Sequence, residues 1–431
     1  MTEPLQTLRR ELGVGHATLL GLGSILGTGI FVSIALAAEA AGVWTLPAIL
    51  LAGLLALCNA LSSAQLAAAH PVSGGTYEYG YRLISPSAGF AAGWLFLCAK
   101  SASAATAALG FASYLIAITV PSTASPELNI GIAIGVTIAL TILVARGIRR
   151  SAQVNAIIVG LTIFALLIYV FSFLPDALTG SPPENIDDPS SKFPGLQTFL
   201  FTTGFLFVAY TGYGRIATLG EEVREPRKTI PKAILTTLAV SAALYGGVTF
   251  VGLRIGLPVG DLHSASLTLS AEGAGSPVVA KIVAVGAMTS MLGVLLNLIL
   301  GLSRVILAMG RRTDLPPVFG SVSSTDRSPV AATFAVGIII AAISLVGDVK
   351  TTWSFSAVTV LLYYATTNIA ALRLAADDRL YHPIFPAIGL IGCLTLAFAV
   401  PPSIWVIAIA VLAVGFILRT ICNRLHTPDD K

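Results

Sequence analysis

The chain has 431 residues, 55% of them hydrophobic and 11% charged, with a mean hydropathy of +0.86. That apolar content excludes a soluble globular protein and reads as a polytopic membrane protein. The net charge of +4 is explained by where the basic residues sit and is no evidence for nucleic acid. The four cysteines and five histidines show no metal-ligand spacing.

Apolar runs bounded by charge, Pro or Gly clusters give about twelve spans. They lie at 16–41, 44–69, 88–119, 128–146, 151–174, 196–218, 231–256, 277–310, 329–347, 351–376, 383–400 and 403–421. The expected fold class is therefore an all-α membrane protein with twelve transmembrane helices. With a cytoplasmic N-terminus, the basic residues from Arg9, Arg10 and Arg82 through Arg304, Arg311 and Arg312 to Arg419 and Lys431 all fall inside. Only Lys192, Arg254, Lys281 and Lys350 fall outside, and Lys100 lies within the membrane. This asymmetry obeys the positive-inside rule and places both termini in the cytoplasm of a cell-membrane protein. Residues 70–87 read as an amphipathic element against the inner leaflet. Residues 175–195, with Asp176, Glu184, Asp187 and Asp188, read as an external loop, and residues 219–230 as a charged inner linker.

The first span contains Gly21–Phe31, GLGSILGTGIF, with glycines at 21, 23, 27 and 29. Glycine weakens a helix by roughly 1 kcal/mol relative to alanine. An unwound backbone within a membrane is tolerated only where protein buries it or a cavity accepts it. Two readings stand: a mid-membrane break whose backbone holds a polar solute, or close helix packing through small residues. Span six carries a second candidate break at Val208–Gly214, VAYTGYG. Breaks in spans five apart are the relation expected of two inverted five-helix repeats around a transport site.

Gly23–Phe31, Pro71–Tyr77, Phe207–Tyr213 with Gly220–Val223 and Pro226-Arg227, Ser303-Arg304 with Asp314-Leu315-Pro316, and Tyr363–Asn368 follow one another along nearly the whole chain. In this order they resemble the signatures of the amino acid–polyamine–organocation (APC) superfamily. The resemblance implies a five-plus-five inverted repeat, with residues 16–174 as the first repeat, 196–376 as the second and 383–421 as two additional helices. It places a substrate site on Ser24, Ile25, Gly27, Thr28, Gly29, Val208, Ala209, Tyr210, Thr211 and Gly212. The amides of Thr28 and Gly29 at a helix start suit a carboxylate. The carbonyls of Ile25, Ala209 and Thr211 are assigned to the ammonium.

The chain departs from that family in three places. Thr162 occupies the position of a span-five lysine found in many proton-coupled relatives, so it is either a sodium ligand or packing. Val208 replaces an aromatic that closes the site from outside, and Gly214, followed by Arg215, replaces an acid. Lys100 lies about eleven residues, or roughly 16 Å, into its run, near the middle of a ~30 Å hydrocarbon core. Ionised lysine there costs about 2.5–3.5 kcal/mol on insertion scales. It is expected to supply the intramembrane cation that span five lacks, or to orient span three through backbone carbonyls. Glu39, near the external end of span one, is assigned a structural or vestibule role. Glu221 and Glu222 lie near Arg224, Arg227 and Lys228 in the sequence. They read either as a solvated charged loop, the more common case, or as salt bridges with those residues that close the inner side. Asn297, Thr289 and Ser290 in span eight are candidates to approach the solute or an ion.

These features define a secondary transporter of neutral L-amino acids working by alternating access, with a proton, or alternatively sodium, as coupling ion. Exchange and uncoupled diffusion remain open, a polyamine is disfavoured by the absence of a mid-membrane acid, and a non-transporting amino acid sensor is the rival from another class. No nucleophile–base pair or aspartate pair marks an intramembrane enzyme. No phosphate-binding GxxxxGK[ST] loop occurs, and no cofactor is expected.

Overall fold

The computed structural model describes residues 10–119, 126–179, 192–218, 220–257, 266–323, 328–345 and 349–426. Glu184, Asp187 and Asp188 of the expected external loop, together with Arg9, Arg327 and Lys431, lie outside them.

The first apolar run is three elements. Helix α1 spans Val14–Ile25 and ends where Leu26 turns extended (φ −73°, ψ 94°). A π-helical turn, Gly29–Ser33, leads into α2, Ile34–Ala41. Gly42 (φ 52°) and a 3₁₀ turn open α3, Thr45–Ala69. There follow α4 (Thr76–Leu83), α5 (Pro86–Thr119), α6 (Pro126–Ala145) and α7 (Ile148–Thr179). Span six is α8 (Leu196–Tyr210), a 3₁₀ turn at Thr211–Tyr213, and the short α9 (Gly214–Ala217). The remaining helices are α10 (Pro226–Ile255), α11 (Ser266–Gly273), α12 (Pro277–Arg311), α13 (Val330–Ser344), α14 (Val349–Leu372), α15 (Ile384–Phe398) and α16 (Pro402–His426).

Among the described residues, eight helical stretches are long and apolar enough to cross a bilayer, and α13 and α15 are shorter apolar helices. One stretch, Val14–Ala69, has 56 residues, about 84 Å of helix, which exceeds a single ~30 Å crossing. The chain is thus a multi-pass helical membrane protein. Its apolar helices divide by burial: the most apolar window of α5 is 83% buried and that of α16 is 11%. Val406, Ile409 and Ile417 of α16 lie on the surface, as lipid-facing residues would. In the interior, α12 packs against α5, α7 and α1, and α10 packs against α3 and α1. The broken helices therefore run through the middle of the bundle.

At one end of the molecule the entry to α1 and the exit of α9 are tied together. Leu12 bridges Val223 in parallel, and the amides of Glu11 and Leu12 both donate to the Glu222 carbonyl at 3.0 Å. Around this tie lies a charged layer. Arg304 donates to Glu222 through Nη2 at 2.7 Å, with both side chains 1% exposed. Arg311 pairs with Glu221, and Arg312 holds Glu78 with two bonds at 2.8 and 2.6 Å. Asp314 accepts from Tyr77, Tyr81 and Arg419, which fastens α16 to α4.

Two expectations are corrected here. Glu221 and Glu222 pair with arginines of α12 rather than with Arg224, Arg227 and Lys228. Arg227 instead meets Asp378, and Lys228 meets Glu225. The 70–87 segment is no bilayer-surface element: Tyr77, Glu78 and Tyr79 of α4 are buried, and α4 packs on α5 and α14. Tyr77, Tyr81 and Glu78 find protein partners in Asp314 and Arg312, so the helix needs no headgroup layer.

Candidate functional site

The break in the first helix falls at Leu26–Gly27. The Gly27 carbonyl accepts the amides of Ile30 and Phe31 at 3.0 and 3.2 Å. A new helix therefore begins at Gly27, and the amides of Thr28 and Gly29 are first-turn donors with no intrahelical acceptor. The Thr28 side chain caps neither of them. The four glycines are explained by contact as well. A Cβ on Gly21 would strike Thr237, on Gly23 Asn155 and Asn297, on Gly27 Val294, and on Gly29 Ala209 and Tyr245. The stretch thus both breaks, at Leu26–Gly27, and packs closely along the rest.

The second break is milder. Thr211–Tyr213 tighten from α to 3₁₀ and keep right-handed backbone angles. The two breaks touch: a Cβ on Gly212 would lie 2.5 Å from the Ser24 carbonyl carbon. The carbonyls assigned to the ammonium are held by tyrosine hydroxyls. Tyr245 donates to Ile25 at 2.7 Å and lies 3.2 Å from the Ala209 carbonyl, and Tyr364 donates to Thr211 at 3.1 Å.

Between the breaks lies a cavity of about 20 Å³, room for about one water. Ser24, Ile25, Thr28, Gly29, Val208 and Ala209 line it, with Lys100 and Ser103 of α5, Val294 and Leu298 of α12, and Trp353 of α14. Four expected site residues stand behind this wall. Gly27 faces Val294, Tyr210 lies under Gly53, Gly212 backs onto Ser24, and Thr211 reaches Lys100. Ser24 donates to its own helix at Leu20.

Lys100 is buried, 5% exposed. Its Nζ donates to Thr211 Oγ1 at 2.6 Å, while the Thr211 hydroxyl donates to the Val208 carbonyl at 2.7 Å. It therefore sits at the span-six break. Thr162 lies elsewhere: its hydroxyl donates to Ile158 and stands 3.4 Å from Thr289. Thr289 and Ser290 also bond their own helix backbone. Lys100, expected to supply the cation that span five lacks, thus reaches the cavity wall and the span-six break rather than the neighbourhood of Thr162. Asn297 and Asn155 bond to each other beside Gly23, joining α12, α7 and α1. Arg215 is buried and donates to Thr218.

On the side away from the charged layer, Trp353 closes the cavity. Its indole N–H donates to the Phe205 carbonyl at 3.2 Å, and the two rings lie 6.2 Å apart. Beyond Phe205 opens a depression of about 320 Å³, lined in part by Leu36, Glu39, Phe201 and Ser354. Trp353 thus places an aromatic ring at the cavity from α14, ahead of that helix's Tyr363–Asn368 motif and outside it. An indole near the start of an apolar helix is the sole signal for it. Tyr245 and Tyr364 carry no signal that distinguishes them from core aromatics.

A multi-pass bundle with a broken helix and a polar cavity at the break is the architecture of a solute carrier. The chain belongs to the amino acid permease family, whose model matches residues 12–423, a family of transporters and not of enzymes. It is 39% identical to an uncharacterized transporter of Mycobacterium tuberculosis, over 98% of this chain and 94% of that protein. Two Bacillus subtilis proteins are each 28% identical: a methylthioribose transporter, over 99% of this chain and 96% of its own length, and the branched-chain amino acid permease BcaP, over 98% and 95%.

Proposed function

We propose that the chain is a secondary transporter that carries amino acids across the cell membrane by alternating access around the two breaks. The observation that carries this reading is the cavity itself. It brings the unpaired amides at the start of the second half-helix, Thr28 and Gly29, to the ends of the two half-helices at Ile25 and Ala209. An α-carboxylate fits the amides and the helix dipole, and an ammonium fits the carbonyls without a protein counter-charge. The substrate is an amino acid rather than a polyamine, because among the described residues the ionisable group in the cavity wall is a lysine.

In this reading the chain crosses the membrane twelve times, with residues 16–174 and 196–376 as inverted repeats, 383–421 as two added helices, and both termini in the cytoplasm. The charged layer at Glu222 and Arg304 closes the cytoplasmic side, and Trp353 with Phe205 closes the outer side. The cavity is too small for an amino acid, so loading requires one layer to part. A proton is the coupling ion, with Lys100 the titratable group at the cavity. Thr162 and Thr289, whose hydroxyls already donate to backbone carbonyls, pack α7 on α12.

Uptake of labelled amino acids and methylthioribose into proteoliposomes, with and without an inward proton gradient, tests the proposal. Saturable accumulation of an amino acid that requires the gradient is the expected result. Equilibration accelerated by internal amino acid would make the chain an exchanger. Binding without flux would make it a sensor.

A further inference from the structure

We propose that Lys100 receives a second carboxylate, so that the substrate is an amino acid with an acidic side chain. This rests on the amino acid transport reading and names the substrate class of the same cavity.

The lysine lacks a counter-charge. Its ammonium has three hydrogens, and the partner it has is the neutral Thr211 hydroxyl at 2.6 Å. That hydroxyl spends its own hydrogen on the Val208 carbonyl, so it accepts from Lys100 and offers no charge. Among the described residues no carboxylate pairs with Lys100. The buried cation of the charged layer, Arg304, has Glu222 against it. A buried charge without a partner is costly, and a substrate carboxylate entering the cavity supplies the missing half.

Position makes the same choice among substrates. Lys100 and Ser103 are one helical turn apart on α5, and both line the cavity together with Thr28 and Gly29. The remaining walls from α12 and α14, Val294, Leu298 and Trp353, are apolar. A neutral zwitterion held at the breaks brings its ammonium into the same cavity as Lys100 and carries no side-chain charge to offset that lysine. A lysine- or arginine-like side chain adds another cation. An acidic side chain reaching Lys100 neutralises it and leaves the α-carboxylate to the Thr28 and Gly29 amides. Acidic substrates thereby replace the neutral ones that the sequence leads one to expect from its lack of a mid-membrane acid.

The test is uptake of labelled L-aspartate, L-glutamate, L-alanine and L-leucine by proteoliposomes of the full chain and of Lys100→Met. The wild-type protein is expected to take up an acidic amino acid in preference to the neutral ones. The variant is expected to lose that uptake by about thirtyfold or more, the effect of stripping one partner from a buried charge pair, and to prefer neutral substrates. Should the variant fail to fold, competition against labelled L-aspartate in the wild type decides, with unlabelled L-glutamate expected to compete and L-leucine not. A wild type that prefers alanine or leucine overturns the inference and leaves the transporter reading standing. A wild type that moves no amino acid overturns both.

Discussion

The hydroxyl of Tyr245 donates to the Ile25 carbonyl at 2.7 Å and lies 3.2 Å from the carbonyl of Ala209. A single side chain on α10 therefore ties the ends of α1 and α8, at two of the three carbonyls expected to meet a substrate ammonium. The tie is held from the side as well, since the rings of Tyr245 and Tyr210 meet edge to face at 4.9 Å. An incoming ammonium has to share these carbonyls with the tyrosine or displace it.

Tyr245→Phe keeps the ring and removes the tie. The variant should lose about 1–3 kcal/mol of stability, the cost of leaving a buried acceptor unpaired, seen as a lower melting temperature in detergent. A transported amino acid should then raise its melting temperature more than it raises that of the wild type, because the carbonyls are open to the ammonium. Equal stabilisation of both proteins would show that the substrate does not reach Ile25 and Ala209.

The buried pair Glu222–Arg304 ties the exit of α9 to α12. Removing one charge alone, as in Glu222→Gln, should cost about 3–5 kcal/mol, since Arg304 then remains buried and uncompensated. The double variant Glu222→Leu with Arg304→Met should recover much of that loss. A double-mutant cycle on melting data measures the coupling, and additive losses would show that the two side chains act independently.

Alkaline stability reports the fastening of α16. Burial first, and the bond to Asp314 second, push the Tyr81 hydroxyl up to about 12 from its ordinary 10.0, and the same two causes raise Tyr77. A group whose folded value lies above its unfolded one stabilises the fold fully below the unfolded value and loses that contribution as pH rises toward the folded one. Stability should therefore fall between about pH 10 and 12. Thermal melts across this window should show a shallower fall for the Tyr77→Phe, Tyr81→Phe double variant. An unchanged slope would mean that Asp314 is not holding these hydroxyls.

The glycines separate into two kinds. Gly27→Ala and Gly23→Ala should destabilise the protein, because the added methyl meets Val294 in one case and the Asn155–Asn297 pair in the other. At Gly160 and Gly246, inside α7 and α10, an added methyl would have nothing within 4 Å. Alanine there should stabilise by about 0.5–1 kcal/mol through helix propensity. Melting temperatures of the four single variants check the contrast.

Much of the fold is legible in local patterns. Apolar run length locates the helices to within a few residues, and the glycines of 21–29 mark the break at Leu26–Gly27. Lys100 declares itself as a charge deep in an apolar run, yet its partner cannot be read, because Thr211 is 111 residues away. Tyr245, Tyr364 and Trp353 look like ordinary core aromatics until their hydrogen bonds are seen. Proximity along the chain assigns Glu222 to the nearest basic residues, whereas the fold hands it an arginine from α12 and leaves Arg227 and Lys228 with other acids. The depth of α4 is likewise invisible, since a short polar helix reads alike on a membrane and inside a bundle.

The most direct measurement is an experimental structure of the protein with L-aspartate bound. The account predicts the α-carboxylate at the amides of Thr28 and Gly29, the ammonium at the carbonyls of Ile25 and Ala209, and the side-chain carboxylate at Lys100 Nζ. An amino acid bound away from the two breaks, or bound there with Lys100 still on Thr211 alone, would contradict it.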